Sequence, residues 1–81
     1  MKYYITNINT VHGEPATLYL VYVNGEHFWS TFMTNALHFK SAHDANLFIL
    51  FYNHNRSSKH KKVNYSEYII QSEAELIARI L

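Results

Sequence analysis

The dipeptide Asn24-Gly25 lies between two apolar-rich segments, residues 17–23 (TLYLVYV) and 26–32 (EHFWSTF). A two-residue type I′ turn needs a positive φ angle at both central positions, and Asn followed by Gly tolerates this best. The sequence therefore predicts an antiparallel hairpin, with the rest of the chain pairing with it or packing on it.

The two-residue turn also fixes which residues of the hairpin face each other, because the register follows from the length of the loop. The predicted pairs are Val23 with Glu26, Tyr22 with His27, Val21 with Phe28, Leu20 with Trp29 and Leu18 with Thr31. One face then holds Leu18, Leu20, Tyr22 and Trp29, and the other holds Tyr19, Val21, Val23, Phe28 and Phe32. A sheet with one face in water alternates apolar and polar residues, so we expect both faces of this hairpin to be covered.

Three further segments have strand character, separated by residues that favour loops. Residues 2–9 form a predicted first strand, and residues 10–16 a loop that contains Gly13 and Pro15. After a connector at 33–35, residues 36–40 are a possible short strand. Residues 63–70 form a predicted last strand, with Val63, Tyr65 and Ile69 on one side and Tyr68 and Ile70 on the other.

Two helices are predicted from their N-terminal capping residues and their apolar spacing. Ser41 is a good N-cap and Asp44 suits the first turn of a helix over residues 42–53. Its core stripe is Ala45, Phe48, Ile49 and Tyr52, although residues 47–52 alone also fit a buried strand. Ser72 and Glu75 form a capping box before a helix that reaches residue 81, with the apolar face Leu76, Ile77, Ile80 and Leu81.

The element order β-β-β-(β)-α-β-α predicts a single α+β domain over residues 1–81, with an antiparallel sheet of four or five strands and two helices. The sequence contains none of the motifs that would indicate an enzyme or a cofactor. It has no Cys, only two Gly, and no Ser in a GxSxG motif. The six histidines (His12, His27, His38, His43, His54 and His60) lack zinc-site spacing, so no metal is expected. The N-terminus does not resemble a signal peptide, which favours a cytoplasmic location. The longest apolar run, 47–52, is too short to span a bilayer, so we expect no membrane association.

Positive charge concentrates in residues 54–62 (HNRSSKHKK), which we name the basic loop. It contains four of the seven Lys and Arg residues: Arg56, Lys59, Lys61 and Lys62. Such a loop is able to neutralise a few phosphates, which makes weak, salt-dependent binding of nucleic acid one interpretation. The other interpretation is a solvated loop that only favours solubility.

The sequence also has more apolar side chains than two short helices are expected to cover. The candidate interface residues are Phe28, Phe32, Leu47, Leu50 and Phe51. Because contiguous exposed apolar surface usually marks protein contacts, we expect a homodimer or a complex with another protein. The alternative is a filled monomer core in which these faces are assigned wrongly.

Residues 2–52 resemble small accessory proteins of bacteriophages and mobile elements, including anti-CRISPR and other anti-defence proteins. The resemblance lies in the strand Lys2-Tyr3-Tyr4-Ile5, the hairpin ending in Phe28-Trp29, and the junction Ala36-x-x-Phe39-x-Ser41-x-x-x-Ala45. It implies a non-enzymatic phage protein that inhibits a host defence protein, or a protein–nucleic acid complex, by stoichiometric binding in the host cytoplasm. The basic loop departs from the acidic DNA-mimic type, and the alternative function is a regulator that binds nucleic acid through this loop.

Overall fold

The computed structural model describes residues 1–11, 13–64 and 67–80, with only the backbone described for residues 10, 11, 79 and 80. Four strands form one antiparallel sheet in the order β3-β2-β1-β4. They are β1 (Tyr3–Val11), β2 (Glu14–Val23), β3 (Glu26–Ser30) and β4 (Ile69–Ser72). The helices are α1 (Ala42–Asn55) and α2 (Glu73–Ile80), and a short 3-10 turn spans Met33–Asn35. The predicted α+β class and element order are confirmed.

The β2–β3 hairpin forms with the predicted register. The strands pair from Val23 with Glu26 to Tyr19 with Ser30. Asn24 and Gly25 have φ angles of 52° and 81°, as the two-residue turn requires. Strand β3 ends at Ser30, so the predicted pairing of Thr31 does not extend the ladder.

The predicted loop at residues 10–16 is wrong, because β1 and β2 continue through it as a second tight hairpin. The ladder includes the pairs Thr10–Pro15 and Val11–Glu14. Pro15 is tolerated there because the ladder between β2 and β3 stops at Tyr19, so the missing N–H of Pro15 faces a side of β2 that β3 does not reach. Gly13 supplies a φ of 83° for the turn.

The possible strand at 36–40 is also wrong, since this segment makes only an isolated bridge. Phe39 exchanges two backbone hydrogen bonds with Tyr3, at 2.8 and 2.9 Å, and the Leu37 N–H donates to the Leu20 carbonyl at 3.0 Å. The β1–β2 ladder begins only at Thr6 and Tyr19. The segment therefore satisfies backbone groups where β1 and β2 separate, and is too short to add a strand.

The last strand is displaced toward the C-terminus from its predicted range, 63–70, and contains only Ile69–Ser72. Val63 is buried but is held by side-chain hydrogen bonds rather than by a ladder. Thr6 fastens β4 to β1, because its hydroxyl donates to Oε1 of Gln71 at 2.7 Å and lies 3.1 Å from the Ile69 carbonyl. Tyr65 lies outside the described residues.

Each face of the sheet has its own buried cluster, but the expectation that both faces of the hairpin are covered is only partly met, because Val23 and Phe28 on the second face are 46 and 49% exposed. On one face α1 packs over the cluster Ile5, Leu20, Ala45, Ile49, Tyr52 and Val63. Since neighbouring strand residues point to opposite faces, Tyr4 and Tyr19 lie on the other face, where they contact Leu76 of α2. Both helices keep their predicted caps: Ser41 accepts from the Asp44 N–H at 3.0 Å, and Ser72 accepts from the Glu75 N–H at 3.2 Å. The alternative of a buried strand at 47–52 is wrong.

The apolar face predicted for α2 is only partly buried. Leu76 is 2% exposed, whereas Ile77 is 46% exposed. The side chains of Ile80 and Leu81 lie outside the described residues. Helix α2 has eight residues, which is about two turns. Among its described side chains, Leu76 is the one buried in the core.

The Gly25→Val substitution is expected to destabilise the fold by about 1–3 kcal/mol, because a β-branched residue is strained at positive φ. The cause is the backbone angle, since an added Cβ would lie an ordinary 3.6 Å from Cε1 of His60. Urea unfolding measures the change. Asn24→Gly is the matched control, with an expected change below about 1 kcal/mol. Equal stability of Gly25→Val and the parent chain would contradict the turn geometry.

Candidate functional site

Helix α1 separates a buried stripe from an exposed apolar face. Ala45, Ile49 and Tyr52 are buried, as predicted, and Phe48 packs against the same cluster. The exposed face consists of three side chains at spacings of three and four residues, which places them side by side: Leu47, Leu50 and Phe51, at 49, 52 and 73% exposure. We name these three residues the α1 outer face.

A hollow of about 310 Å³ adjoins the α1 outer face, and four aromatic rings line it: Tyr22, Phe48, Phe51 and Tyr52. The Tyr22 ring meets Phe48 and Tyr52 edge to face, with ring centroids 5.4 and 5.6 Å apart. Such contacts stabilise the positions of the rings. The rest of the lining is polar and includes Asn55, Arg56, Ser57 and His60. We name this feature the aromatic hollow.

Side-chain hydrogen bonds from α1 fix the path of the basic loop and of Val63, which follows it. Asn53 donates to the Val63 carbonyl at 2.9 Å and accepts from the Val63 N–H at 2.8 Å. The Tyr52 hydroxyl donates to the Lys61 carbonyl at 3.0 Å. At the hairpin turn, Nε2 of His60 lies 3.2 Å from a carboxylate oxygen of Glu26. The loop therefore has a defined path, and it begins at Arg56, because His54 and Asn55 belong to α1.

The four basic residues predicted as a binding group have two different environments. Arg56 is half-buried, and its Nη1 donates to the carbonyls of His60 at 3.1 Å and Ser57 at 3.4 Å. It therefore bridges parts of the loop. Lys59, Lys61 and Lys62 are exposed, and all three line a second concavity.

This concavity, which we name the cationic cleft, has a volume of about 960 Å³ and lies between the basic loop and the sheet. Besides the three lysines, its lining includes Asn7, Asn9, Glu26, His27, Trp29, Tyr52, His60, Asn64 and Glu67. The contributions of β1 and β3 were not predicted. Their residue types carried no motif, and only tertiary folding brings these strands opposite the loop.

Tyr52 and His27 form the wall that connects the cleft with the protein core. Nδ1 of His27 lies 3.0 Å from the Tyr52 hydroxyl. Because that hydroxyl uses its one proton on Lys61, we assign the hydrogen of this contact to Nδ1 of His27. Burial raises the pKa of Tyr52, with Tyr22 and Glu26 acting in the same direction and His27 and Arg56 against it. The hydroxyl thus remains a donor.

Burial lowers the pKa of His27 below its ordinary value of 6.5. Among the charged neighbours, Lys61 acts in the same direction, whereas Glu67 and Glu26 favour the protonated ring. Protonation leaves the Nδ1 hydrogen in place, so the contact with Tyr52 survives it. What changes is the charge of the cleft.

The other two candidate interface residues lie away from α1. Phe28 is 49% exposed. Its neighbour Trp29 packs against the cluster under α1, so Phe28 lies on the opposite face of the sheet. Phe32 follows β3 and is 68% exposed. All five candidate residues are thus exposed, but they do not form one continuous surface.

Removing the Asn53 side chain is expected to destabilise the protein by about 2 kcal/mol, because the Asn53→Ala substitution leaves the N–H and carbonyl of the buried Val63 without these hydrogen bonds. Chemical unfolding measures the loss. Asn46→Ala is the control, since Asn46 is exposed on the same helix, and its expected change is within about 0.5 kcal/mol. An equal effect of both substitutions would argue against the Asn53 clamp.

The lowered pKa of His27 predicts that stability falls with acidification. Between the folded pKa and 6.5 the unfolded chain binds more protons than the folded chain, so the free energy of unfolding rises with pH in this window. The stability that depends on a neutral His27 is fully retained above pH 6.5 and is lost as the pH falls through the pKa of His27 in the folded protein. His27→Asn keeps an amide donor for Tyr52 and does not titrate. Urea unfolding across this range should give a shallower slope for the variant, and identical slopes would contradict the assignment.

Comparison with protein-family models, curated proteins and solved structures finds no match for this chain. Within the described part of the chain, no three His, Cys, Asp or Glu side chains gather as a metal site would require. No described helix combines the length and apolar character needed to cross a bilayer. The aromatic hollow, the α1 outer face and the cationic cleft are the candidate binding features of the described residues.

Proposed function

We propose that this protein is a non-enzymatic binding protein that inhibits a host protein by stoichiometric contact. The observation that carries the proposal is the α1 outer face, where Leu47, Leu50 and Phe51 are exposed beside the aromatic hollow. Large apolar side chains next to a concave aromatic surface are typical of the central contacts of protein interfaces.

A partner that covers the α1 outer face would gain free energy by burying its apolar side chains. Fully burying a Leu or Phe side chain contributes about 1.5–3 kcal/mol. Leu47 and Leu50 are already about half-buried and Phe51 is 73% exposed, so burying what remains exposed contributes about 3–5 kcal/mol, a substantial part of the roughly 8 kcal/mol of a micromolar affinity. Helix α1 is itself held by Ala45, Ile49 and Tyr52 in the core, so its outer face is presented without a folding cost.

The polar rim of the hollow indicates the chemistry of the partner. Arg56 and His60 line the same hollow as Phe51. A segment with one bulky apolar side chain flanked by acidic residues matches both properties, since the apolar group fits the rings and the acids face the rim. The hollow, at about 310 Å³, is at the small end of ligand sites, which suits a side chain better than a large molecule.

The target class in this proposal comes from the sequence resemblance of residues 2–52 to phage anti-defence proteins. A host defence protein in the bacterial cytoplasm, such as a CRISPR effector, is the partner that we propose on that ground. A second copy of the chain is the other occupant that the α1 outer face would accept, and a homodimer is distinguished from a complex by its stoichiometry.

Charging the α1 outer face should abolish partner binding and leave the fold intact. We expect Leu50→Glu with Phe51→Glu to weaken binding at least about tenfold, because a carboxylate in a dry contact costs more than 1.4 kcal/mol. The matched control is Thr34→Glu with Asn35→Glu, two exposed positions of the 3-10 turn outside α1.

The measurement has two stages. Quantitative affinity capture from host lysate identifies a protein retained by the parent chain and by the control but lost with the charged variant. Titration calorimetry with that purified protein then gives the affinity and stoichiometry. Sedimentation velocity of the chain alone tests for the homodimer. A captured protein that binds both variants equally would contradict a contact through α1.

A further inference from the structure

We propose that the cationic cleft binds a phosphorylated nucleobase ligand, and specifically a short single-stranded segment of nucleic acid. This inference is independent of the α1 outer face, although Tyr52 and His60 line both the cleft and the aromatic hollow. The cleft combines exposed cations, amide side chains and aromatic residues within one volume of about 960 Å³.

The cleft has three lysines and two carboxylates, and each carboxylate has a polar neighbour within the same lining. Lys59, Lys61 and Lys62 are exposed. Glu26 lies 3.2 Å from the imidazole of His60, and Glu67 accepts a hydrogen bond from the Asn64 amide at 3.3 Å. Counting Lys and Glu alone, the described lining has an excess of one positive charge, and each of its three ammonium groups is suited to one phosphate of a flexible strand.

The backbone that carries the lysines is fixed before any ligand arrives. The Tyr52 hydroxyl holds the Lys61 carbonyl, and Asn53 holds both backbone groups of Val63. The contact between His60 and Glu26 ties the same loop to the hairpin turn. Ordering a loop on binding opposes affinity, and here that ordering has already occurred in the fold.

The wall opposite the lysines offers contacts for bases. Two aromatic residues of β3 line the cleft, Trp29, which is half-buried against the core, and Phe28, which is 49% exposed, and aromatic rings are surfaces on which any base can stack. Asn7 and Asn64 line it as well, and their amides supply both donors and acceptors for base edges. A duplex conceals its base faces within the stack, so a concave site with these groups on its wall fits a single strand.

Trp29 is the only Trp of the chain, so its fluorescence reports directly on the cleft. We expect single-stranded oligonucleotides of about eight nucleotides to quench this fluorescence at low salt. The anisotropy of a labelled oligonucleotide should give an affinity whose logarithm falls against log salt with a slope of about −2, which corresponds to three phosphates on a single strand.

The decisive variant is Lys61→Ala with Lys62→Ala, which we expect to weaken binding at least tenfold and to reduce the salt slope by about 1.4. The matched control, Lys2→Ala with Lys40→Ala, removes the same charge from exposed positions outside the cleft and should bind like the parent chain. Lys61 contributes its backbone carbonyl to the fold, which Ala retains. Lys59→Ala with Lys62→Ala is a second pair that leaves this residue untouched.

Three ligands of different size distinguish a site for a nucleic acid strand from a site for a free nucleotide or for phosphate alone. Competition by a mononucleotide assigns the site to a free nucleotide, whereas binding only by the oligonucleotide assigns it to a strand; inorganic phosphate alone should not compete at equal concentration. The proposal would be overturned by an absence of quenching at low salt, by an equal loss in the Lys61→Ala with Lys62→Ala variant and the Lys2→Ala with Lys40→Ala control, or by a duplex that binds as tightly as the single strand. Leu50→Ala with Phe51→Ala, which changes no charge, should bind the oligonucleotide like the parent chain, and this separates the proposal from the contact through α1.

Discussion

The hydroxyl group of Tyr52 connects the three parts of the molecule on which any function depends. It donates to the Lys61 carbonyl of the basic loop and accepts from His27 of β3, while its ring lies in the core beneath α1. A buried hydroxyl needs such partners, because an unsatisfied one costs free energy. Helix, sheet and loop therefore share one hydrogen-bonded centre, and the aromatic hollow and the cationic cleft lie on its two sides.

The sheet has a buried cluster on each face, which is uncommon for so short a chain. Leu20 packs under α1, and its neighbour Tyr19 packs under α2 through Leu76. Because both faces bury side chains, a shift of the hairpin by one residue would exchange the two clusters. The Asn24-Gly25 turn prevents this shift, so a local backbone preference fixes the register of both clusters.

Helix α1 is apolar on nearly all sides, and its two sides are apolar for different reasons. Ala45 and Ile49 are fully buried and account for one side. Leu47 and Phe51 are exposed on the other and contribute nothing to the core that the described residues show. Folding alone does not explain these exposed Leu and Phe side chains, and this is why we propose a partner for them.

Some features were predictable because their causes are local. The turn at Asn24-Gly25, the caps at Ser41 and Ser72, and the stripe from Ala45 to Tyr52 each follow from the conformational preferences or spacing of a few adjacent residues. The exposure of Leu47, Leu50 and Phe51 followed from the same spacing. In each case the sequence contained the physical cause within about ten residues.

The remaining features were decided by tertiary structure. Pro15 entered a strand because β3 stops short of it, and residues 36–40 failed to form one because they fill the separation between β1 and β2. The cleft joins the lysines of the basic loop to Trp29, a residue distant in the chain. By itself the sequence determined the turn, the caps and the helical faces, since these depend on neighbours along the chain. Strand ends, the path of the basic loop and the composition of the cleft depend on hydrogen bonds between distant residues, and only the folded chain supplies those.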